Sequence, residues 1–337
     1  MKQIWVYVEQ HEGQLAPISK ELLLMGRVLA DRLHGQLAAL LLGDNIAGFI
    51  SALAGLKIDN IYMIDSSALG FYHPLIFTEN IINLTNQFGQ PDMILFGATY
   101  LGRDLAPAVA ARLATGCAAD CCGLDLDEDE NLLQIVPGLG GTVYGTIVTP
   151  HCRPQVATIK PGMLDTSEDL TEASALAIGA PQLHQLEAVL PDRVEAIKLI
   201  EARPKPIKEE KLEGARRIVA GGAGIGGKEG WTLLENLAEQ IEAAVGATRP
   251  AIDEGWADHD LMIGQSGKTV KPELYFGIGI SGDMMHMVGI KGKGVRVAIN
   301  TDPKAPIFQH VDYGIVADYQ ELVPALLDAL QKRSPNS

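Results

Sequence analysis

The sequence predicts an α/β protein in two parts: an N-terminal doubly wound, mostly parallel sheet with a β-rich tail, and a smaller C-terminal α/β unit. Three observations predict it. Unbroken apolar runs alternate with stretches of helical period through the first hundred or so residues. Helical patterning then vanishes around "LDLDEDENLLQIVPGLGGTVYGTIVTPHCRPQVATIKPG", where short segments are punctuated by Gly and Pro. Finally, the proline- and charge-rich stretch "EARPKPIKEEKLEGARR" reads as a linker before a second alternating series. The expected units are 1–203 and 204–337.

The elements follow in order. "IWVYVEQ" is a strand, "SKELLLMGRVLADRL" carries apolar residues at helical spacing, and "QLAALLLG" suits a strand buried on both faces. "SALAGLKI" and "NIYMID" repeat the helix and strand. "TENIINLTNQFG" and "PDMILFGAT" repeat them again, and "GRDLAPAVAARLATG" opens a further helix. The acidic run from Asp125 to Glu130 reads as a solvated hairpin turn, because adjacent side chains point in alternating directions and cannot converge on a metal. In the second unit "RRIVAGG" is a strand, "KEGWTLLENLAEQIEAAVG" a long helix and "LMIGQSG" a loop. "ELYFGIGI" is a strand, "SGDMMHMVGI" a helix, "GVRVAIN" and "YGIVAD" are strands, and "YQELVPALLDALQKR" is the last helix.

Composition excludes several classes. With 337 residues, 47% of them hydrophobic, the chain can build a core in each unit. A net charge of −15 lacks the basic face that displaces counterions from nucleic acid. No run approaches the eighteen or so apolar residues of a spanning helix, and "MKQIWVYVEQ" opens as a strand rather than a leader, so a cytoplasmic protein without membrane insertion is expected. Cys117, Cys121, Cys122 and Cys152 lack metal-like spacing and read as reduced structural thiols.

Three glycine-rich motifs carry chemistry. "GQSGKT" looks like a triphosphate loop, but Met262 stands where its first glycine belongs and Pro272 interrupts the helix that should follow. "GGAGIGG" places Gly222, Gly224 and Gly227 between a strand and a helix, the context of a dinucleotide fingerprint. The acidic partner expected about twenty residues on would be Glu242, which falls inside the long helix. "GISGDMMH" sets Ser281 between Gly279 and Gly282 at a strand-to-helix junction. It is either an anion site or a helix capped by Ser281, and His286 reads alone as a core histidine.

A resemblance changes the weight of these motifs. "GATRPAID", "GQSGKTVKPELYFGIGISGDMMH" and "AINTDPKAPIFQHVDYGIVAD" resemble the flavin-binding domain of the electron-transfer flavoprotein alpha subunit. "GRDLAPAVAARLATGCAADC" and "RPQVATIKPGML" resemble that family's first domain, so the likeness runs in order over nearly the whole chain. It implies one FAD held mainly by this chain, a heterodimer with a beta subunit, and an electron carrier rather than a stand-alone enzyme. By resemblance, Gly222, Gly224, Thr248, Arg249, Ile263, Gly264, Gln265, Ser266, Ser281, Gly282, Asp283, Met284, Met285, His286, Asn300, Asp318 and Tyr319 line the cofactor. Ser266 would offer its hydroxyl near the flavin N5. Arg249 and His286 would lie beside the ring, where a cation stabilises negative charge and so tunes its potential.

The same resemblance implies a flavin dehydrogenase of the acyl-CoA dehydrogenase type as electron donor or acceptor. It leaves open bifurcation of electrons from NADH with ferredoxin or flavodoxin. Three positions depart from the family pattern: Ala223 replaces an arginine, Met285 replaces a glutamine, and Asp283 adds a carboxylate where the pyrophosphate is expected. Ala223 and Met285 keep a second class in play, a nucleotide-binding scaffold without redox activity.

Overall fold

The computed structural model describes residues 1–11, 13–138, 143–164, 179–191, 200–201 and 212–333. Most of the linker reading, 202–211, lies outside the described residues. The chain divides into two compact units, Met1–Gly138 with Tyr144–Pro204, and Leu139–Val143 with Lys205–Ser337.

The first unit is built on β1 (Gln3–Tyr7), β2 (Gln36–Gly43), β3 (Asn60–Asp65), β4 (Met93–Gly97), β5 (Cys117–Cys121), β6 (Gly123–Leu126), β7 (Leu132–Gly138), β8 (Val143–Ile147), β9 (Gln155–Ile159) and β10 (Gln182–Leu186). Its seven-stranded sheet has the order β10-β3-β2-β1-β4-β9-β5, with parallel pairing throughout. Every residue of β2 after Gln36 is buried, as its unbroken apolar run requires of a strand covered on both faces. The β-rich tail is present, divided between two sheets. Only β6, β7 and β8 form a separate sheet, while β5 and β9 join the main one, because Val156, Ala157 and Ile159 bury completely beside β4. The acidic run is a turn, in which the Asp127 carboxylate accepts from the backbone N–H groups of Asn131 and Asp129 at 2.7 and 3.0 Å.

Helices α1 (Pro17–Arg32), α2 (Ile50–Ala54), α3 (Pro74–Phe88) and α4 (Tyr100–Arg112) cover this sheet. Proline opens α1 and α3 at a position whose N–H would have no partner anyway. Ile18, Leu22, Leu29 and Ala30 form the buried stripe of α1. Gly26 lets it approach β2, since a Cβ there would lie 2.8 Å from Leu37 Cδ1.

The second unit contains β11 (Arg217–Gly221), β12 (Ala244–Ala247), β13 (Leu274–Ile278), β14 (Val295–Asn300) and β15 (Tyr313–Val316), in the parallel order β12-β11-β13-β14-β15. Its helices are α5 (Lys228–Gln240), α6 (Arg249–Asp253), α7 (Met284–Met287) and α8 (Tyr319–Arg333). Two expectations change here. The long helix stops at Gln240, and Glu242 sits outside it in the left-handed region at φ 51°. Ala243 N–H donates to Ala238 C=O at 2.8 Å and Glu242 N–H to Glu239 C=O at 3.1 Å, a closure that turns "AAVGA" into strand β12. His34 and Ala114 end α1 and α4 in the same way, at φ 50° and 52°. Helix α7 is a single turn, and Asp283 rather than Ser281 caps it.

Each sheet has a switch point at its first strand, because the chain adds strands to one side and then crosses to the other. In the first unit it lies between β1 and β4, and Glu9 fills it. Thr99, the N-cap of α4, donates its hydroxyl to Glu9 Oε1 at 3.0 Å and accepts from Gly102 N–H at 3.0 Å. A Cβ on Gly97 would stand 2.9 Å from that same carboxylate oxygen. Burial pushes the Glu9 carboxyl up to about 7, against the lowering effect of the Thr99 hydroxyl.

A raised carboxyl pKa means that the folded state holds the proton more tightly than the unfolded chain does. The contribution is complete below the ordinary value of 4.5 and is lost as pH rises through about 7. Glu9→Gln, which cannot ionise, should therefore be more stable than wild type at pH 8, by roughly 3 kcal/mol, and near wild type at pH 4. Thermal unfolding at the two pH values checks this; equal differences at both would show that Glu9 is not buried as a proton-holding group.

Candidate functional site

The second switch point, between β11 and β13, is built differently. The turn after β11 and the junction after β13 meet backbone to backbone: Gly222 N–H donates to Ile278 C=O at 3.0 Å and Gly224 N–H to Gly279 C=O at 2.9 Å. A Cβ on Gly222 would overlap the Gly279 carbonyl oxygen, and one on Gly224 would lie 2.8 Å from Gly279 Cα. Gly279 itself has φ +61°, so both the close approach and the conformation require glycine. These glycines shape the crevice by removing side chains from it.

The remaining candidate residues collect at the same carboxyl edge of the five-stranded sheet. Thr248 and Arg249 directly follow β12, Ser281 to His286 follow β13, Asn300 ends β14, and Asp318 follows β15. The 263–266 loop joins them through Ile263 N–H to Ala247 C=O at 2.9 Å and Gln265 N–H to Met285 C=O at 2.7 Å. Lys268 N–H returns to Met262 C=O at 2.7 Å, so "GQSGKT" forms a tight loop, and no helix follows it. Gly264 passes under α7, where a Cβ would overlap the Met285 carbonyl oxygen.

Individual side chains divide into those that face the rim and those spent inside. Ser266, Ser281, Asp283 and Asp318 are exposed, as are Met284 and Met285. The Arg249 side chain is 72% exposed and pairs with Asp253 at 3.6 Å, an ion pair of small worth in water. Gly282 is buried at φ +90° beside Ile307, with no room for a Cβ. Asn300 holds Ile280 C=O at 2.9 Å and accepts from Asp302 N–H at 2.9 Å. The Asp283 carboxylate accepts from Met285 N–H at 2.7 Å and Asp318 from Gln320 N–H at 2.9 Å.

Two expected site residues turn their polar atoms inward. The His286 ring is buried, with Nδ1 3.0 Å from Ile263 C=O and Nε2 2.7 Å from the Tyr275 hydroxyl. Burial pushes it down to about 4, against the Ile263 carbonyl and Asp283, so it is neutral at physiological pH. The Tyr319 hydroxyl donates to Ile225 C=O at 2.7 Å within the glycine turn. Sequence reasoning missed Tyr275, Gly230 and the packing role of Gly279. Only the close glycine spacing signalled the last of these.

Whether these residues suit a dinucleotide can be tested on one atom. Thr248 is 6% exposed, and its Oγ1 finds no hydrogen-bond partner among the described residues. A buried hydroxyl left unpaired costs stability, and a polar ligand along this edge would satisfy it. The close backbone approach and the unpaired hydroxyl at one sheet edge together fit a dinucleotide. Among the described residues no cluster of His, Cys, Asp or Glu could hold a metal, and no helix is long and apolar enough to cross a membrane. The four cysteines are free, and burial pushes the Cys117 and Cys121 thiols up to about 11 and about 12, away from thiolate chemistry.

Comparison with known proteins gives the chain a family. Residues 4–188 match the family described as "Electron transfer flavoprotein domain", and residues 211–291 match "Electron transfer flavoprotein FAD-binding domain". The chain is 37% identical to the electron transfer flavoprotein subunit alpha of Thermoanaerobacterium thermosaccharolyticum, over 98% of both chains. It is 40% identical to protein FixB of Azorhizobium caulinodans, over 100% of this chain and 90% of that one. It is 35% identical to the acryloyl-CoA reductase electron transfer subunit beta of Anaerotignum propionicum, over 98% and 96%.

The Tyr319 hydroxyl sits in a notch left by Gly230, where a Cβ would overlap it. Gly230→Ala should cost roughly 2 kcal/mol by overpacking, and Tyr319→Phe roughly 1 kcal/mol by stranding the Ile225 carbonyl. The double variant should cost less than the sum, because removing the oxygen makes room for the methyl. Urea unfolding of the four proteins measures this. Simple additivity would mean that the hydroxyl does not occupy the notch.

Proposed function

Because the chain belongs to the electron-transfer flavoprotein alpha-subunit family, and its C-terminal unit is an FAD-binding domain, we propose that it carries electrons as one half of a heterodimer with a beta subunit. Its FAD lies along the carboxyl edge of the five-stranded sheet, held by the residues gathered there. The observation that carries this reading is the buried, unpaired Thr248 hydroxyl directly after β12 at that carboxyl edge.

Bound FAD supplies the redox chemistry, and the protein sets its position and potential. Gly222, Gly224 and Gly264 bring backbone close to the cofactor. Ser281, Gly282, Asn300 and Asp318 line its length, together with Asp283, Met284 and Met285. The 263–266 loop offers the Ser266 hydroxyl to the flavin ring. Arg249 stabilises negative charge that develops beside it, while His286, being neutral, contributes position rather than charge. Tyr319 acts from behind, through the glycine turn.

The electron source we propose is a flavin dehydrogenase of the acyl-CoA dehydrogenase type. The relative named as an acryloyl-CoA reductase electron transfer subunit supports a partner that works on acyl-CoA. Bifurcation with NADH and ferredoxin or flavodoxin is the variant of this role in which the beta subunit holds a second FAD. A reducing compartment, the cytoplasm, suits the four free thiols. One observation favours the alternative scaffold without redox activity: Asp283 uses its own carboxylate on Met285 N–H and adds negative charge beside the crevice. Copurification with the beta subunit separates the two. A yellow complex with one FAD per chain in this unit supports the carrier, whereas a colourless complex supports the scaffold.

Arg249→Ala should lower the first reduction potential of the bound FAD by about 40 mV, the one-electron equivalent of about 1 kcal/mol, while leaving the melting temperature nearly unchanged. Spectroelectrochemical titration reads the potential, and an unchanged value removes Arg249 from the tuning. Ala223 is exposed on the glycine turn, and Ala223→Arg should raise the potential and slow FAD loss. An unchanged or lower potential in an intact complex would show that Ala223 does not face the cofactor.

A further inference from the structure

Tyr275 lies in β13, outside all the residues gathered at the carboxyl edge, and its side chain is completely buried. In the middle of a core strand a phenylalanine would fill the same space. A buried phenol needs a partner for its hydroxyl, and the structure supplies one, His286 Nε2 at 2.7 Å. The other ring nitrogen, Nδ1, lies 3.0 Å from the Ile263 carbonyl oxygen. A carbonyl can only accept, so Nδ1 carries the proton. In the neutral ring Nε2 then has only a lone pair, and the Tyr275 O–H must donate to it. The three groups form one directed chain, from Tyr275 through His286 to the backbone of Ile263.

This chain joins three elements. Tyr275 belongs to the sheet, His286 to α7, and Ile263 begins the loop that ends at Ser266. The same loop is held to α7 by Gln265 N–H on Met285 C=O at 2.7 Å, and Gly264 passes with its Cα hydrogens facing α7 backbone. Turning the imidazole over would put Cδ2–H at the Ile263 carbonyl and Cε1–H at the Tyr275 hydroxyl and break both bonds, and the other tautomer would set a bare Nδ1 against the carbonyl oxygen. One imidazole orientation and one tautomer therefore accompany one loop position.

We propose that Tyr275 is a positioning residue of the FAD site: by donating to His286 Nε2 it holds a single neutral tautomer, which fixes the Ile263–Ser266 loop and keeps positive charge out of that side of the site. This rests on the reading of the carboxyl edge as the place where FAD binds. Two charged groups bear on the pair. The Asp283 carboxylate, at the start of α7, favours a protonated ring but is engaged with Met285 N–H. Arg296 favours an ionised phenol, but its guanidinium donates to Ile290 C=O at 3.2 Å, and burial keeps Tyr275 protonated. Burial outweighs both, and His286 stays neutral well below pH 6.

The experiment uses the complex with its beta subunit, labelled with nitrogen-15 at the eight histidines. Long-range proton–nitrogen spectra should show one ring, absent from His286→Gln, with the proton on Nδ1 and no titration between pH 5 and 8. Tyr275→Phe should let that ring titrate or populate the other tautomer, and should weaken FAD binding about tenfold in a fluorescence titration with FAD. It should also shift the flavin absorption bands. A wild-type His286 that carries its proton on Nε2, or titrates near 6.5, overturns the proposal even if the variant fails to fold. A folded Tyr275→Phe with wild-type FAD affinity and an unchanged flavin spectrum overturns it as well. Wild-type complex that takes up no FAD fails differently: it removes the FAD reading, and this role with it, whatever the tautomer.

Discussion

The carboxyl edge of the C-terminal unit depends on a contact between two backbones with no side chain between them. The 222–224 turn and Gly279 lie at hydrogen-bonding distance, so any Cβ would intrude on a carbonyl or a Cα. Close packing leaves no slack for a methyl group at such a contact. This contact brings the first and third strands' loops together at the switch point, and the crevice forms where their side chains are missing. Tyr319 then pins the turn from behind through Ile225, and the 263–266 loop is drawn in by α7. Rigid backbone placed by sheet geometry is what lets a few polar groups act on a ligand with little reorganisation.

The two units show what can be done with the same topology. Both sheets are parallel, both have a switch point beside the first strand, and both place glycine at the strand ends nearby. In the first unit the position is closed from within: Glu9 reaches the start of α4, bonds Thr99 and presses against Gly97. A carboxyl group of the protein occupies that place. In the second unit Gly222 and Gly224 meet Gly279 backbone to backbone at that position, and Thr248, after β12, is left with an unpaired hydroxyl.

Charge is handled locally along the carboxyl edge of a chain whose net charge is −15. Asp283, Asp302 and Asp318 each accept from a backbone N–H two residues on, which spreads their charge into turns and helix starts. His286 and Tyr275 are buried as a neutral pair, the cheaper way to keep polar groups inside a core. Arg249 stands out among the gathered residues as an exposed cation.

Much of this was legible in the residues themselves. Apolar runs such as Leu37–Leu42 announced buried parallel strands, and the glycine spacings at 222–227 and 279–282 marked both turns of the crevice, because only glycine tolerates such approaches. The ordered motifs carried the family. Other features were not legible for identifiable reasons. The stop after Gln240 uses Glu242 in a left-handed conformation, so no glycine announced it, and β12 was hidden inside a helical pattern. Strand β9 reads as part of a local β-rich tail until its pairing with β4 is seen. Ser281 and Asp283 both have capping chemistry, and burial of Gly282 beside Ile307 decided between them. The amino-acid sequence determined the alternation of elements and the places where backbone had to come close, since both follow from local period and local sterics. The tertiary structure alone decided which partner each polar group would have. Tyr275 and His286 are 11 residues apart and Tyr319 and Ile225 are 94 apart, and a hydrogen bond depends on distance in space, which only the assembled sheet defines.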